Sequence, residues 1–323
     1  MTVYGGTLRV TLDEANMQVI ALSVCFSVVT VLALPQESGY VPQRVYDTRE
    51  KRFTDFEAMS ADLARADVVL VGEQHDDPNT HRLERAILEG LARRHVPVTL
   101  SLEMFERDVQ DSVDTYVSGT GGEEDFLKGS RPWPRYATDY RPLVEFARAR
   151  KWPVVAANVP RRIASDIAKT GRPGVDALSA ADRRLAAADL LCPHDDYFAR
   201  FAEQMGGHPA GSGPVPAPGS PSGSAAADTT TERYYWAQCV KDETMAESIA
   251  NAFGKLEGRP GLVAHFTGAF HSEYGEGTGE RVRRRLGGRR VIAVSILPVE
   301  NFDDVAPGAD VLKRAEYLVF TIK

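Results

Sequence analysis

The residues of this chain best equipped for chemistry are acids, imidazoles and an amide, each placed just after a short apolar run. Glu73-Gln-His75 follows Val68-Val-Leu-Val-Gly72, and Glu103 follows Val96-Pro-Val-Thr-Leu-Ser-Leu102. Asn158 follows Pro153-Val-Val-Ala-Ala157, and Gly268-Ala-Phe-His271 closes Gly261-Leu-Val-Ala-His-Phe-Thr267. If these runs are parallel strands, their ends share one sheet edge, the place where α/β proteins bind ligands. Asp77-Pro78 then supplies an N-cap and a first-turn proline, and His81 and Glu84 fall on one face of the following helix at i, i+3 spacing. Glu73, His75, His81, Glu84 and His271 thus make a candidate metal-ligand set, whose imidazole and carboxylate donors suit Zn²⁺, Mn²⁺ or non-haem iron. In a hydrolase, Glu73 or Glu103 would be the general base acting on water. The competing structural reading makes His81 and Glu84 an exposed helical pair, and for those two residues it weighs about the same.

A second kind of site is suggested after the third run. Asn158-Val-Pro160-Arg161-Arg162 places two guanidiniums in the first turn of a helix, where they oppose its dipole. With free backbone N–H groups they suit a carboxylate or phosphate; a salt bridge from Arg161 is the equal alternative. Nucleophile and nucleotide motifs are missing: no Gly-x-Ser-x-Gly elbow, Gly-x-Gly-x-x-Gly or phosphate loop follows the first run.

The elements that must hold these residues read as a mainly parallel α/β sheet flanked by helices, with a helical elaboration. The apolar runs are near-continuous, as in strands covered on both faces, and Arg290–Ile296 and Tyr317–Ile322 add two more. Helical patterns cover Asn79–His95, Pro142–Arg150, Arg162–Lys169, Ala180–Leu191 and Glu232–Leu256. Arg107–Tyr140 reads as a helical excursion beside the sheet, with a helix from Val109 to Tyr116, a Gly-rich turn and an aromatic segment. Gly206–Thr231, rich in Gly, Pro, Ser and Ala, is expected to be a disordered insertion.

Residues 41–323 form the α/β domain in this reading, and residues 1–40 a leader. Val19–Leu34 carries no charge and falls short of the roughly 20 residues of a membrane span, which fits the core of an export signal. Asp13 and Glu14 precede it where a signal carries Lys or Arg, so a start at Met17 is the suggested repair. Export to the periplasm or outer membrane follows, with Cys25 a weak candidate for a lipid anchor because Val24 is not small. Of the three cysteines, Cys192 and Cys239 would remain, as a disulfide or as two unpaired thiols. A net charge of −7 argues against nucleic acid as a partner. The basic spot Arg281-Val-Arg283-Arg-Arg285 reads as a solvated helix end.

Several of these segments, in order, resemble the ChaN family of haem-binding, iron-regulated bacterial proteins. They are Val71-Gly-Glu73-Gln-His75-Asp, Leu102-Glu103-Met-Phe with Gln110, Tyr140-Arg-Pro-Leu-Val-Glu-Phe-Ala147 and Ala157-Asn158-Val-Pro-Arg161. Gln238-Cys-Val-Lys-Asp242-Glu-Thr-Met-Ala246 and Gly268-Ala-Phe-His271 complete the set. Gly72-Glu73 and Gly268–His271 are also shared with the wider superfamily of Tiki-type metalloproteases and erythromycin-esterase-like hydrolases. The resemblance implies a haem or iron uptake protein, with haem bound between two subunits of a homodimer, a tyrosine on iron and a histidine near the propionates. Asn158, Arg161, Tyr140 and Tyr274 become candidate haem-site residues. No motif selects the ligating tyrosine among Tyr136, Tyr140, Tyr197, Tyr234, Tyr235 and Tyr274. The alternative is a metal-dependent hydrolase that binds a divalent ion and a small-molecule substrate.

Overall fold

The structure, a computed structural model, describes residues 40–207, 224–256 and 258–323. The expected leader and Cys25 lie outside them, as does most of the expected insertion. An eight-stranded sheet runs through the chain in the order β2-β1-β8-β7-β3-β6-β4-β5. Its parallel part comprises β3 (Val68–Glu73), β4 (Val98–Glu106), β5 (Val154–Asn158), β6 (Leu262–Gly268), β7 (Val291–Val299) and β8 (Tyr317–Ile322). Every residue of β3 and β6 is buried, because helices cover both faces of the sheet. A hairpin unforeseen in the sequence, β1 (Gln43–Asp47) and β2 (Arg52–Thr54), adds antiparallel strands beside β8. Its strands are short and half polar, so they lack the apolar continuity that revealed the others.

Helices α1 (Phe56–Leu63) and α2 (Pro78–Arg93) pack on one face of the sheet. So do α3 (Gln110–Val117), α4 (Glu123–Ser130) and α5 (Arg141–Arg150). Asp77 caps α2 by accepting the Thr80 N–H at 2.7 Å, with Pro78 at the first helical position, as its sequence predicts. On the opposite side lie α6 (Arg161–Thr170), the short α7 (Arg172–Asp176) and α8 (Ala180–Arg183), and α9 (Asp196–Gly207). The long α10 (Ser224–Gly254) and α11 (Gly277–Arg285) complete that side, α10 placing Ala246 and Ile249 against the sheet. Among the described residues, no helix is long and apolar enough to cross a membrane.

Three expectations are corrected here. The Ala180–Leu191 pattern is helical only as far as Arg183, because α10 side chains take the backbone N–H groups beyond it. Thr244 accepts from Ala187, Glu247 from Ala188 and Glu243 from Leu191, at 2.8–3.2 Å. The insertion expected to reach Thr231 ends earlier, since α10 already starts at Ser224; residues 208–223 lie outside the described residues. Arg281 is no solvated helix end: it is buried, and Arg281, Arg284 and Arg285 converge on the buried Glu243 at 3.3, 2.6 and 2.5 Å. Cys192 and Cys239 form a disulfide, tying the segment before α9 to α10.

Candidate functional site

Parallel pairing sets Glu73 beside Gly268 and Glu106 beside Asn158, so the ends of β3, β4, β5 and β6 share one edge. Glu103 differs slightly from expectation, because β4 continues past it to Glu106. Pairing with β6 stops at Leu102, and the register against β5 shifts between Leu102 and Glu106. Where the strands part, the Glu103 carboxylate accepts the Gly268 N–H at 2.8 Å and the Thr267 hydroxyl at 2.6 Å. The split sheet edge is therefore closed by a side chain.

Two imidazoles flank this point, each held by an acid. His75 Nδ1 meets Glu73 Oε1 at 2.5 Å, and the Tyr140 hydroxyl donates to the same oxygen at 2.8 Å. His271, in the helical turn directly after β6, has Nδ1 at 2.7 Å from Asp242 and Nε2 at 3.4 Å from Glu103. Asp242 is itself fixed by the hydroxyls of Tyr197 at 2.7 Å and Thr278 at 2.8 Å. A Cβ on Gly268 would stand 2.7 Å from His75 Nε2, so glycine lets the imidazole lie against the backbone.

The charges follow from this packing. Burial alone would raise Glu103, but the His271 and His75 charges and its two hydrogen bonds lower it to about 2. Burial pulls His75 and His271 down, yet the neighbouring carboxylates hold both above the usual imidazole range. Asp242 is lowered by the His271 charge in spite of its burial.

Behind His75 lies a second, fully buried group. His81 Nδ1 stands 3.0 Å from Glu84 Oε2 and 3.6 Å from Glu73 Oε2, so the pair expected on one helix face is inside the protein rather than in solvent. Burial, then the charge of Glu73, pushes the Glu84 carboxyl well above the usual range.

In front of the strand ends opens a cleft of about 570 Å³, within the ordinary size of a cofactor site. Glu73, His75 and His271 form its floor, with Gly268, Ala269 and Phe270 beside them. Its rim carries Arg200, Tyr274 and Arg314. Arg200 stacks over the Tyr274 ring at 3.7 Å and pairs with Glu276 at 2.6 Å, while Arg314 reaches Glu273 at 3.5 Å. The Arg314 Nε is buried and has no hydrogen-bond partner among the described residues. Tyr274 sits at φ 60°, a conformation uncommon for a side chain of its size, which turns its ring toward the rim.

Residues 59–282 match the sequence model of a family described as haem-binding uptake, Tiki superfamily, ChaN. The chain belongs to this family. Among solved structures, a ChaN protein of Campylobacter jejuni with cofacially bound haem superposes with a TM-score of 0.60 at 15% identity, over 87% of this chain and 97% of that one. At that identity the likeness establishes the fold. An erythromycin esterase mutant in its open conformation reaches a TM-score of 0.43 at 12% identity, over 87% and 83% of the two chains. No curated protein matches in sequence.

Set in this ChaN fold, the residues singled out from sequence divide. Glu73, His75 and His271 meet at the cleft floor, Glu103 lies beneath it against Gly268 and His271, and His81 and Glu84 lie behind it. Asn158 lies away from the cleft, donating to the Glu103 carbonyl at 3.2 Å and accepting from Val159 at 2.9 Å. Arg161 is exposed at the start of α6, and its neighbour Arg162 pairs with Asp182 at 2.6 Å. Tyr140 supports Glu73 from within the core. Of the six candidate tyrosines, Tyr274 lines the cleft; Tyr136, Tyr140, Tyr197 and Tyr235 are buried in the core, and Tyr234 lies exposed on α10. Arg200, Arg314 and Asp242 were missed as site residues. Arg200 on α9 and Arg314 before β8 are surface-type residues that follow no apolar run, and only Asp242 stood inside a quoted motif.

Proposed function

We propose that the cleft binds haem, and that the chain serves haem or iron uptake as an exported protein. The observation that carries this reading is the buried, unpartnered Nε of Arg314 at the rim, beside the Tyr274 phenol. A buried guanidinium donor without an acceptor calls for an anionic ligand, and a propionate carboxylate supplies one. Arg200 and Arg314 would hold the propionates, Ala269 and Phe270 would lie against the macrocycle, and Tyr274 would offer its oxygen to iron. When bound, haem supplies an iron centre that prefers a phenolate; the two arginines beside the Tyr274 ring favour that anionic form, whereas burial and the Asp310 hydrogen bond at 2.7 Å raise its pKa. Export is inferred from the apolar segment Val19–Leu34 and uptake from the family's description. A homodimer with facing haems is inferred from the cofacial arrangement in the C. jejuni relative.

Haemin titration tests the binding. A shifted Soret band saturating at one haem per chain is expected, with affinity falling about tenfold or more in Arg314→Ala, the loss of one charge-assisted contact being worth ~1.5–3 kcal/mol. An unshifted spectrum up to 100 µM haemin would contradict it. Sedimentation with and without haemin tests the dimer.

A second reading rests on the floor of the cleft, where two acid-held imidazoles converge on Gly268. It is a hydrolase in which Glu73 and His75 act on water. Hydrolysis of ester or peptide substrates that disappears in Glu73→Gln would support it; no turnover across such a screen would remove it.

A further inference from the structure

We propose that Glu73, His81 and Glu84 form a buried site for one divalent first-row transition-metal ion, separate from the haem site at the cleft rim. The three side chains each bring a ligand atom within 4.8 Å of the others, and all three residues are at least nine-tenths buried. His81 Nδ1 is 3.0 Å from Glu84 Oε2 and 3.6 Å from Glu73 Oε2. Donors held about 2.0–2.2 Å from a shared ion stand roughly 3.3–3.6 Å apart in a tetrahedral shell and about 3.0 Å apart at the right angles of an octahedral one, so these separations suit ligands around one centre.

The outer contacts argue independently for an ion. Metal-bound histidines direct their second nitrogen to a carbonyl or carboxylate, which fixes the tautomer. His81 does this: its Nε2 faces the His75 carbonyl at 3.2 Å and Asp139 Oδ2 at 3.5 Å. With its hydrogen on Nε2, Nδ1 presents a lone pair to the two carboxylates. Glu73 Oε2 and Glu84 Oε1 are buried without a hydrogen-bond partner among the described residues. The other Glu73 oxygen is satisfied by Tyr140 and His75, so the carboxylate is oriented with its free oxygen toward His81. Lone pairs facing one another in a dry interior are stabilised by a positive centre between them, an ion or a shared proton.

One imidazole and two carboxylates suit Zn²⁺, Mn²⁺ or Fe²⁺, and no thiolate is present to favour softer ions. Glu73 also lines the cleft, which gives the site a route to solvent. His271, which sequence reasoning placed in the same ligand set, is instead held by Asp242 and Glu103. The site does not depend on haem binding.

The test uses the full-length protein, stripped with chelator and then titrated with Zn²⁺ and Mn²⁺ by calorimetry in the absence of haem. Co²⁺ serves as an optical probe of coordination. The expected result is binding of one ion per chain, a rise in Tm, and Co²⁺ ligand-field bands. Glu84→Gln should weaken binding at least 100-fold, and Asp139→Asn about 10–100-fold through His81. Glu89→Gln, at a half-buried acid on the same helix that pairs with Arg85 instead, should bind like the parent. Absence of one-ion binding and of Co²⁺ bands in the parent protein overturns the proposal, leaving a proton as the shared positive charge; so does unchanged affinity in both Glu84→Gln and Asp139→Asn. If Glu84→Gln does not fold, the parent Co²⁺ spectrum and Asp139→Asn decide the matter. Haemin binding measured on the same stripped protein keeps failure of this site distinct from failure of the haem reading.

Discussion

At the scale of single residues, the site depends on strand ends that carry polar groups and on one glycine. Gly268 has φ −54° and ψ 139°, an extended conformation that alanine also adopts, but the added methyl would stand 2.7 Å from Nε2 of the His75 ring that Glu73 holds. Gly268→Ala should therefore keep Tm within a few degrees of the parent while altering ligand binding at the cleft floor. A collapse in Tm with ligand binding retained in the folded fraction would show that the contact is structural. His265, inside β6, is a sharper electrostatic probe. Burial lowers its pKa to about 4, and its Nδ1 meets Ser101 at 2.9 Å. A base depressed in the fold contributes stability above its unfolded value near 6.5 and loses it as pH falls through the window from 6.5 to about 4. NMR should find the ring neutral at pH 5.5; a midpoint near 6.5 would contradict its burial.

Strand-end residues were legible because an apolar run announces where a parallel strand stops. Helix spacing likewise brought His81 and Glu84 together, although it could not say whether they face solvent or core. Asp242 was obscured because its role is tertiary: it reaches His271 from a helix that lies beyond the insertion.

At the scale of elements, local pattern was reliable until a neighbouring element supplied better partners. Residues 187–191 carry helical periodicity, yet the N–H groups of Ala187, Ala188 and Leu191 bond to side chains of α10, and the adjacent disulfide holds that path. The β1–β2 hairpin escaped notice for the opposite reason, having too little apolar sequence to register. The disulfide spans a sequence separation of 47 residues, for which the loop-entropy relation gives about 4 kcal/mol at most. Reduction, or Cys192→Ser with Cys239→Ser, should lower unfolding free energy by roughly 2–4 kcal/mol. Because the bridge steadies the segment leading to Tyr197, which orients Asp242, loosening near His271 should accompany it. Denaturation with and without reductant checks the energy, and an unchanged midpoint would rule out the bridge as a stabilising tie.

At the scale of the whole molecule, the hairpin edge, α1 and the far strands are joined at Asp62. It accepts from Arg65 and Arg290 at 2.7 Å, and from Arg49 and the Tyr317 hydroxyl at 3.1 Å. Burial pushes this carboxyl up, but the four hydrogen bonds outweigh it and hold it well below 3.8. Its pKa is thus depressed by folding, so its stabilisation is complete above the ordinary carboxylate value and is lost as pH falls below it. Asp62→Asn should be less stable at pH 7, with a shallower further loss of Tm between pH 5 and 3. Parallel pH profiles for the two proteins would contradict this.

The same long-range assembly brings Arg200 from α9, Tyr274 from the turn after β6 and Arg314 from the segment before β8 to one rim, which no local motif records. The absorption spectrum of the ferric haemin complex tests that assembly most directly, measured for the parent protein and for Tyr274→Phe. The parent should give a high-spin, phenolate-ligated spectrum with its charge-transfer band, and Tyr274→Phe should lose that band and bind haemin more weakly. An unchanged spectrum in Tyr274→Phe would contradict the assignment of this tyrosine and of the cleft as the haem site.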